Sequence, residues 1–206
     1  SGTPVVSGGA VFAGDTVGNV YAFDAEHGGL RWGTRLEGAA FTATATVTRG
    51  VVVIGDQAAG FIFGLDAGNG RLLWKIRPNV LGRPAIWGSG TIVEGNVAIG
   101  VASNDEGPQP PFVSRGSLVL LDPRTGKVIW QTFTVSDADY AAGASGASIW
   151  TSPAYDASTG LIYAGTGNNF TEPATANSDA ILAFDARSGR IAWSNQRFPN
   201  DVWTPR

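Results

Sequence analysis

The sequence contains no cysteine and a single histidine, His27, among its 206 residues. Without thiols the chain can form neither disulfide bonds nor thiolate metal sites, although this leaves the redox compartment open. No Ser-His-Asp triad can be assembled around His27, which we expect to be an exposed turn residue, and no glycine-rich phosphate loop precedes a helical pattern. These absences argue against hydrolytic and nucleotide-dependent chemistry.

A net positive charge and long hydrophobic runs are also missing. The formal net charge is -3, which offers no basic field to nucleic acid. No apolar run approaches the about 20 residues that span a bilayer, and residues 1–4 do not resemble a signal peptide. With 43% hydrophobic and 15% charged residues, we expect a mature or excised globular chain with no membrane span and no nucleic-acid partner.

Four segments of the chain share one layout, in which an alternating apolar run ends at an Asp, a Gly follows, and a second run closes on a Trp. The Trp residues are spaced roughly 40 to 60 residues apart, and the sets are Asp24/Gly28/Trp32, Asp66/Gly70/Trp74, Asp122/Gly126/Trp130 and Asp185/Gly189/Trp193. The Asp can accept hydrogen bonds from turn amides, and the Gly can adopt positive φ. Each set therefore predicts a strand, a tight turn and a second strand.

The runs before and after each set extend this pattern to four short strands separated by Gly, Asn and Asp, which predicts a four-stranded antiparallel meander. Repeats of this period are typical of propeller blades. The predicted fold is all-β, a β-propeller forming one partial domain over 1–206. Its approximate blades are 1–38, 39–78, 84–133 and 146–196, with a fifth starting at 200–206. We expect the third blade to begin near Ala85, Ile86 and Trp87, and Trp150 to lie on an inner strand.

The four Asp-Gly-Trp sets resemble the tryptophan-docking repeats of the quinoprotein, or pyrroloquinoline-quinone-dependent, alcohol dehydrogenases. The runs at 146–150 and 178–181 are most similar to polyvinyl alcohol dehydrogenase-like proteins. The resemblance implies an eight-bladed ring, of which about four blades would be contained in this chain. Such repeats also occur in propellers that bind no cofactor.

Two stretches resemble the family's cofactor and metal segments more specifically. Trp150, followed by the Gly-Thr-Gly-Asn run that ends at Asn168, is similar to the segment in which a Trp forms the floor under pyrroloquinoline quinone (PQQ) and the Asn ligates calcium. Ser103 and Glu106 are similar to a Ser that meets a cofactor carboxylate and a Glu that is the second calcium ligand. The resemblance thus implies cofactor binding by Trp150 and Ser103, and metal binding by Glu106 and Asn168.

The residue types suit this chemistry, but each also has a plain structural explanation. A flat quinone needs an extended π-face, and calcium prefers oxygen ligands. On the other hand, Trp150 could be a core residue, Asn168 could hold a turn, and Glu106 could be a solvated loop acid. Three further carboxylates could act as bases, although the sequence gives none of them a partner: Asp139, Asp179 and Asp201.

The chain departs from the family pattern in three respects. The family's catalytic base is an Asp in the next blade, so it is expected beyond Arg206. Because there is no cysteine, the vicinal-cysteine cap of some members cannot form. Trp87 stands where the family often has a small Thr, and we expect this indole either to crowd the pocket or to line a different funnel.

The first functional hypothesis is part of a quinoprotein oxidoreductase that oxidises an alcohol by hydride transfer to PQQ with calcium assistance. The resemblance implies a small-molecule or polymeric alcohol substrate, a cytochrome c electron acceptor and a periplasmic or secreted setting. The alternatives are a cofactor-free repeat propeller acting as a binding or scaffold module, and an inactive half-propeller. Apolar faces of the end blades would in each case permit self-association.

Overall fold

A computed structural model describes residues 2–105 and 110–203 of the chain. Those residues form antiparallel β-sheets and one short helix, α1 (Asp137–Ala141). Glu106, a predicted metal ligand, and residues 204–206 of the predicted fifth blade lie outside the described residues. Within the described ranges no helix is long and apolar enough to cross a membrane.

The strands follow one another in chain order from the first to the last strand of each sheet. The first sheet consists of β1 (Val5–Ser7), β2 (Ala10–Gly14), β3 (Asn19–Asp24) and β4 (Leu30–Arg35). The second consists of β5 (Thr46–Thr48), β6 (Val51–Gly55), β7 (Ile62–Asp66) and β8 (Leu72–Ile76). The third consists of β10 (Thr91–Val93), β11 (Asn96–Ser103), β12 (Ser117–Leu121) and β13 (Val128–Phe133), and β9 (Pro84–Ala85) pairs with the end of β11.

The fourth sheet consists of β15 (Ala154–Asp156), β16 (Leu161–Gly165), β18 (Ala180–Asp185) and β19 (Ile191–Gln196). A separate two-stranded sheet pairs β14 (Ser145–Gly146) with β17 (Asn169–Thr171). The first strands of successive blades contact each other, β1 with β5, β5 with β10, and β10 with β15. This row of antiparallel blades is a partial β-propeller, as predicted.

The core lies between neighbouring blades, and strand periodicity determines which blade each side chain faces. In β6, Val52 and Ile54 pack towards the first blade, whereas Val51 and Val53 pack towards the third. The same alternation divides β12, whose Leu118 belongs to the cluster shared with the fourth blade. Because successive side chains of a strand point to opposite faces, a central blade is apolar on both sides.

The repeated Asp-Gly-Trp sets join each blade to the next through what we call docking turns, the residues from the Asp to the Gly of each set. Three indoles donate a hydrogen bond to the carbonyl that follows the Asp of the next docking turn: Trp32 to Ala67 at 3.0 Å, Trp74 to Pro123 at 2.8 Å and Trp130 to Ala186 at 3.0 Å. Trp193 makes no hydrogen bond within the described part of the chain, and it is 43% exposed.

The structure corrects the strand placement of two predicted tryptophans. Ala85 lies in β9, which pairs with β11 of the third sheet, but Ile86 and Trp87 lie outside any strand, and Trp150 precedes β15 instead of lying on an inner strand. The connection that precedes β10 is hydrogen-bonded to the connection that precedes β15, since the Ser89 amide donates to Ser152 Oγ at 3.0 Å. Bonds between connections thus take the place of a strand ladder.

The helix α1 is a second feature that the sequence pattern did not predict. Five residues are too few to give a recognisable helical period. The helix is nevertheless capped, because Ser136 Oγ accepts a hydrogen bond from the Asp139 amide at 3.1 Å.

Candidate functional site

A cavity of about 720 Å³ lies where the third and fourth blades meet. Its wall combines the end of β11, the connections before β10 and β15, and the loop after β16. The lining residues are Trp87, Ala102, Ser103, Asn104, Ser148, Trp150, Thr166, Gly167, Asn168 and Asp179. The structure therefore brings together Ser103, Trp150 and Asn168, three of the four predicted site residues, and the fourth, Glu106, lies outside the described residues.

Two indoles face this cavity. Trp150 is 56% exposed and Trp87 is 40% exposed. Both line this cavity, so Trp87 does not line a different funnel. A glycine supports the position of Trp150, because a Cβ atom added to Gly167 would lie only 3.3 Å from the indole Nε1. The cavity consequently offers two large aromatic surfaces to a planar ligand.

Asn168 is held by its side-chain amide nitrogen. Nδ2 donates to the Asn169 carbonyl at 2.7 Å and to the Trp203 carbonyl at 2.6 Å, which uses both of its donors. No described residue donates a hydrogen bond to the carbonyl oxygen Oδ1. This oxygen is therefore oriented and available as a ligand.

Ser103 is buried at the end of β11, in a turn that a buried carboxylate supports. Its Oγ accepts a long hydrogen bond from the Asp105 amide at 3.4 Å. The Asp105 carboxylate is fully buried and accepts hydrogen bonds from Arg83 Nε at 3.1 Å and from the Ser114 amide at 2.9 Å. Asp105 thus fixes the segment that carries Ser103, a role that the sequence did not reveal.

Two further polar atoms at the cavity wall are buried and lack a hydrogen-bond partner among the described residues: Ser148 Oγ and Asp179 Oδ2. Ser148 is only 3% exposed. It lies two residues before Trp150, and both side chains line the cavity. Burial raises the pKa of Asp179 and the Asp201 carboxylate raises it further, whereas a hydrogen bond from Ser178 partly lowers it.

The atoms of the cavity wall that could ligate a metal ion are oxygen atoms of Ser, Thr, Asn and Asp side chains. No group of three or more His, Asp or Glu side chains forms a metal site in residues 2–105 and 110–203. A cation here would be held by amide and hydroxyl oxygens with few carboxylates, which is compatible with a hard ion such as calcium. Together with the two indole faces, the unpaired polar atoms fit a planar cofactor that has a polar edge.

Comparison with known proteins identifies the family. A family model described as "Outer membrane protein assembly factor BamB" (PQQ_2) matches residues 1–202. The chain belongs to this PQQ_2 family. The match extends over nearly all of the described residues, and the repeats that it covers are the blades described above.

The PQQ_2 chain is also similar to proteins named polyvinylalcohol dehydrogenase and quinohemoprotein alcohol dehydrogenase, which confirms the resemblance predicted from the sequence. Polyvinylalcohol dehydrogenase of Sphingopyxis sp. (strain 113P3) is 31% identical over 226 residues, which cover 98% of this chain and 34% of that protein. Quinohemoprotein alcohol dehydrogenase ADH IIB of Pseudomonas putida is 28% identical over 241 residues, with 98% and 34% covered.

A solved structure of a quinohemoprotein alcohol dehydrogenase is also similar to this chain. Quinohemoprotein alcohol dehydrogenase ADHIIG from Pseudomonas putida HK5 superimposes with a TM-score of 0.84 at 26% identity, over 98% of this chain and 35% of that structure. The PQQ_2 chain thus spans about a third of the length of the relatives that it matches.

Proposed function

We propose that this chain is part of a quinoprotein oxidoreductase that oxidises an alcohol, with PQQ as cofactor and calcium as its ion. The observation that carries the proposal is the convergence of Trp150, Ser103 and Asn168 on one cavity whose wall also contains the unpaired Ser148 Oγ. When bound, PQQ with calcium would supply a hydride acceptor whose carbonyl is polarised by the ion.

Each residue would contribute a different kind of contact. The exposed indole of Trp150 would support the flat face of the cofactor, and the Ser103 hydroxyl would meet one of its carboxylates. Asn168 Oδ1 would ligate calcium, with Glu106 as the proposed second protein ligand. The base that accepts the hydroxyl proton is expected beyond Arg206, so binding and not turnover is the proper test of this chain.

The relatives support the wider setting of this proposal. One of them is named for a polymeric alcohol and another is a quinohemoprotein. We therefore propose a small-molecule or polymeric alcohol as substrate, cytochrome c as electron acceptor, and a periplasmic or secreted location.

Tryptophan fluorescence tests cofactor binding directly. Titration of PQQ with calcium into the chain should quench the emission in a saturable manner beyond the optical attenuation seen with free tryptophan. Trp150→Ala should weaken binding about tenfold, since an aromatic stack contributes about 0.5–1.5 kcal/mol in addition to the area that it buries. Trp193→Phe, which removes a partly exposed indole outside the cavity, should leave the affinity unchanged.

A cofactor-free binding or scaffold propeller is the second candidate. It is favoured by the description of the family model, which names an outer membrane protein assembly factor. An emission spectrum that does not respond to saturating PQQ and calcium would support this function over the first.

A further inference from the structure

A buried carboxylate oxygen in the cavity has no partner in the described structure. Asp179 Oδ2 is inaccessible to solvent and accepts no hydrogen bond there, and none of the ion pairs between described residues includes Asp179. A buried carboxylate oxygen without a partner costs free energy, because the protein does not replace the water that this atom has lost. Asp201, the charge that acts on it most, is also negative. The local charge therefore calls for a positive ligand.

The backbone holds Asp179 beside Asn168. Asp179 donates its amide to the Gly167 carbonyl at 3.0 Å and accepts from the Arg197 amide at 2.8 Å. Its φ of 48° is unusual for a residue other than glycine. Asp adopts this conformation more readily than most residues, and surrounding contacts maintain it here.

Ser148 provides an independent indication that this wall receives a polar ligand. Its hydroxyl is almost completely buried, lines the same cavity and has no hydrogen-bond partner among residues 2–105 and 110–203. Asn168 Oδ1, whose orientation is fixed through Nδ2, adds a third oxygen without a donor. An apolar ligand would leave all three oxygens unsatisfied.

We propose that Asp179 is a ligand of a hard metal cation that is shared with Asn168 Oδ1 in this cavity. A cation satisfies both the unpaired carboxylate oxygen Oδ2 and the unpaired amide oxygen, and one ion of this kind offsets the combined negative charge of Asp179 and Asp201. A neutral hydroxyl donor would pair with one oxygen but would leave this charge in place. The inference extends the proposed function by naming a carboxylate ligand, yet it requires no quinone.

Terbium(III) luminescence tests the site without cofactor or turnover. The chain is treated with a chelator, exchanged into buffer without PQQ and titrated with Tb³⁺, whose emission should be sensitised by the cavity indoles Trp150 and Trp87. The wild-type chain should give saturable emission that Ca²⁺ displaces. Asp179→Asn should weaken Tb³⁺ binding at least tenfold, because the ion loses a charged ligand. Asn tolerates positive φ, so this replacement retains the backbone conformation.

Two matched carboxylates serve as controls. Asp201→Asn removes a charge that acts on Asp179 and should change the affinity less than threefold. Asp137→Asn removes an almost fully exposed carboxylate outside the cavity and should change nothing. Wild-type affinity for Tb³⁺ in Asp179→Asn, or no saturable emission from the wild-type chain, would overturn the proposal.

A thermal measurement separates ligation from a structural role. With chelator present, Asp179→Asn should melt at the same or a higher temperature than the wild-type chain, because the substitution removes a negative charge that has one buried oxygen without a partner. With Ca²⁺ added, the wild-type melting temperature should rise and that of the variant should not. A variant that is destabilised equally with and without Ca²⁺ would contradict ligation. Loss of Tb³⁺ binding in the variant combined with failure of PQQ to bind the wild-type chain would retain this inference and reject the proposed function.

Discussion

Gly189 and Gly28 occupy the same position in two docking turns, and both adopt positive φ, 73° and 72°. Their surroundings differ. A Cβ atom at Gly189 would lie 2.6 Å from Trp130 Cδ2 and 2.9 Å from Thr132 Oγ1, whereas a Cβ atom at Gly28 would meet nothing within 4 Å. At Gly28 the absence of a side chain therefore only permits the positive φ. At Gly189 it also leaves room for the Trp130 indole to pack.

This difference gives a matched pair of substitutions. Gly28→Ala should lower the free energy of unfolding by about 1 kcal/mol, which is the cost of a left-handed non-glycine residue. Gly189→Ala should lower it by about 1–3 kcal/mol more, because Trp130 has to move. Denaturant unfolding of both variants measures the difference. Equal losses would show that the docking glycine has no packing role.

At the scale of elements, the indole hydrogen bonds connect one blade to the next. Trp130 donates to the Ala186 carbonyl of the fourth blade, while Trp193 has no such acceptor in the described part of the chain. Trp130→Phe should lower the free energy of unfolding by about 1–2 kcal/mol, since it leaves a partly buried carbonyl without its donor. Trp193→Phe should change the free energy of unfolding by less than about 0.5 kcal/mol. Thermal and denaturant melts of the two variants provide the comparison, and a larger effect at Trp193 would contradict this account.

The docking-turn carboxylates make the stability depend on pH. Hydrogen bonds from Ser188 lower the pKa of Asp185, and hydrogen bonds from Arg31 and from the His27 amide lower the pKa of Asp24. A carboxyl group whose pKa is lower in the folded state stabilises that state at pH values above its unfolded pKa of about 3.9, and this contribution disappears as the pH falls through the folded pKa.

The melting temperature should therefore decrease as the pH falls from about 5 to about 2. Asp185→Asn keeps a side-chain oxygen in the turn but cannot titrate, so its stability deficit relative to the wild-type chain should shrink over the same range. Calorimetric or circular dichroism melts at each pH measure both effects. A deficit that stays constant with pH would exclude Asp185 from the acid response.

At the scale of the whole molecule, blades are stabilised by their neighbours, and the first and fourth blades each have one face without a neighbour in the described structure. Neighbouring blades are joined where the Trp of one blade contacts the docking turn of the next. Two such groups have no counterpart in the described structure: Trp193 of the fourth blade and the docking turn around Gly28 of the first. We expect these two groups to pair between copies of this 206-residue chain.

Sedimentation velocity should accordingly show association that increases with protein concentration. Ile181→Lys introduces a charge on a terminal blade, at a side chain that is 49% exposed, and should shift the chain towards monomer. Ile129→Lys, at a side chain of the third blade that is 47% exposed, should leave the association unchanged. Equal effects of the two changes, or a wild-type chain that stays monomeric at high concentration, would contradict pairing through the end blades.

The sequence by itself determined the blades. Strand alternation and the Asp-Gly-Trp sets are local properties, since a period of two and a turn residue act within a few positions of the chain. The strand placement of Trp87 and Trp150 was wrong for a related reason: cross-blade hydrogen bonds such as that from the Ser89 amide to Ser152 Oγ replace a ladder there, and no local pattern encodes them.

Only the tertiary structure decided which side chains share the cavity. The resemblance had paired Trp150 with Asn168, and their roles stay predictions. Nothing in the sequence placed Trp87 in the same cavity as Trp150 or left Ser148 Oγ and Asp179 Oδ2 without partners. These residues come from two blades and from a loop between strands. Their convergence depends on how neighbouring sheets pack, which is a property of the assembled core and not of any single segment.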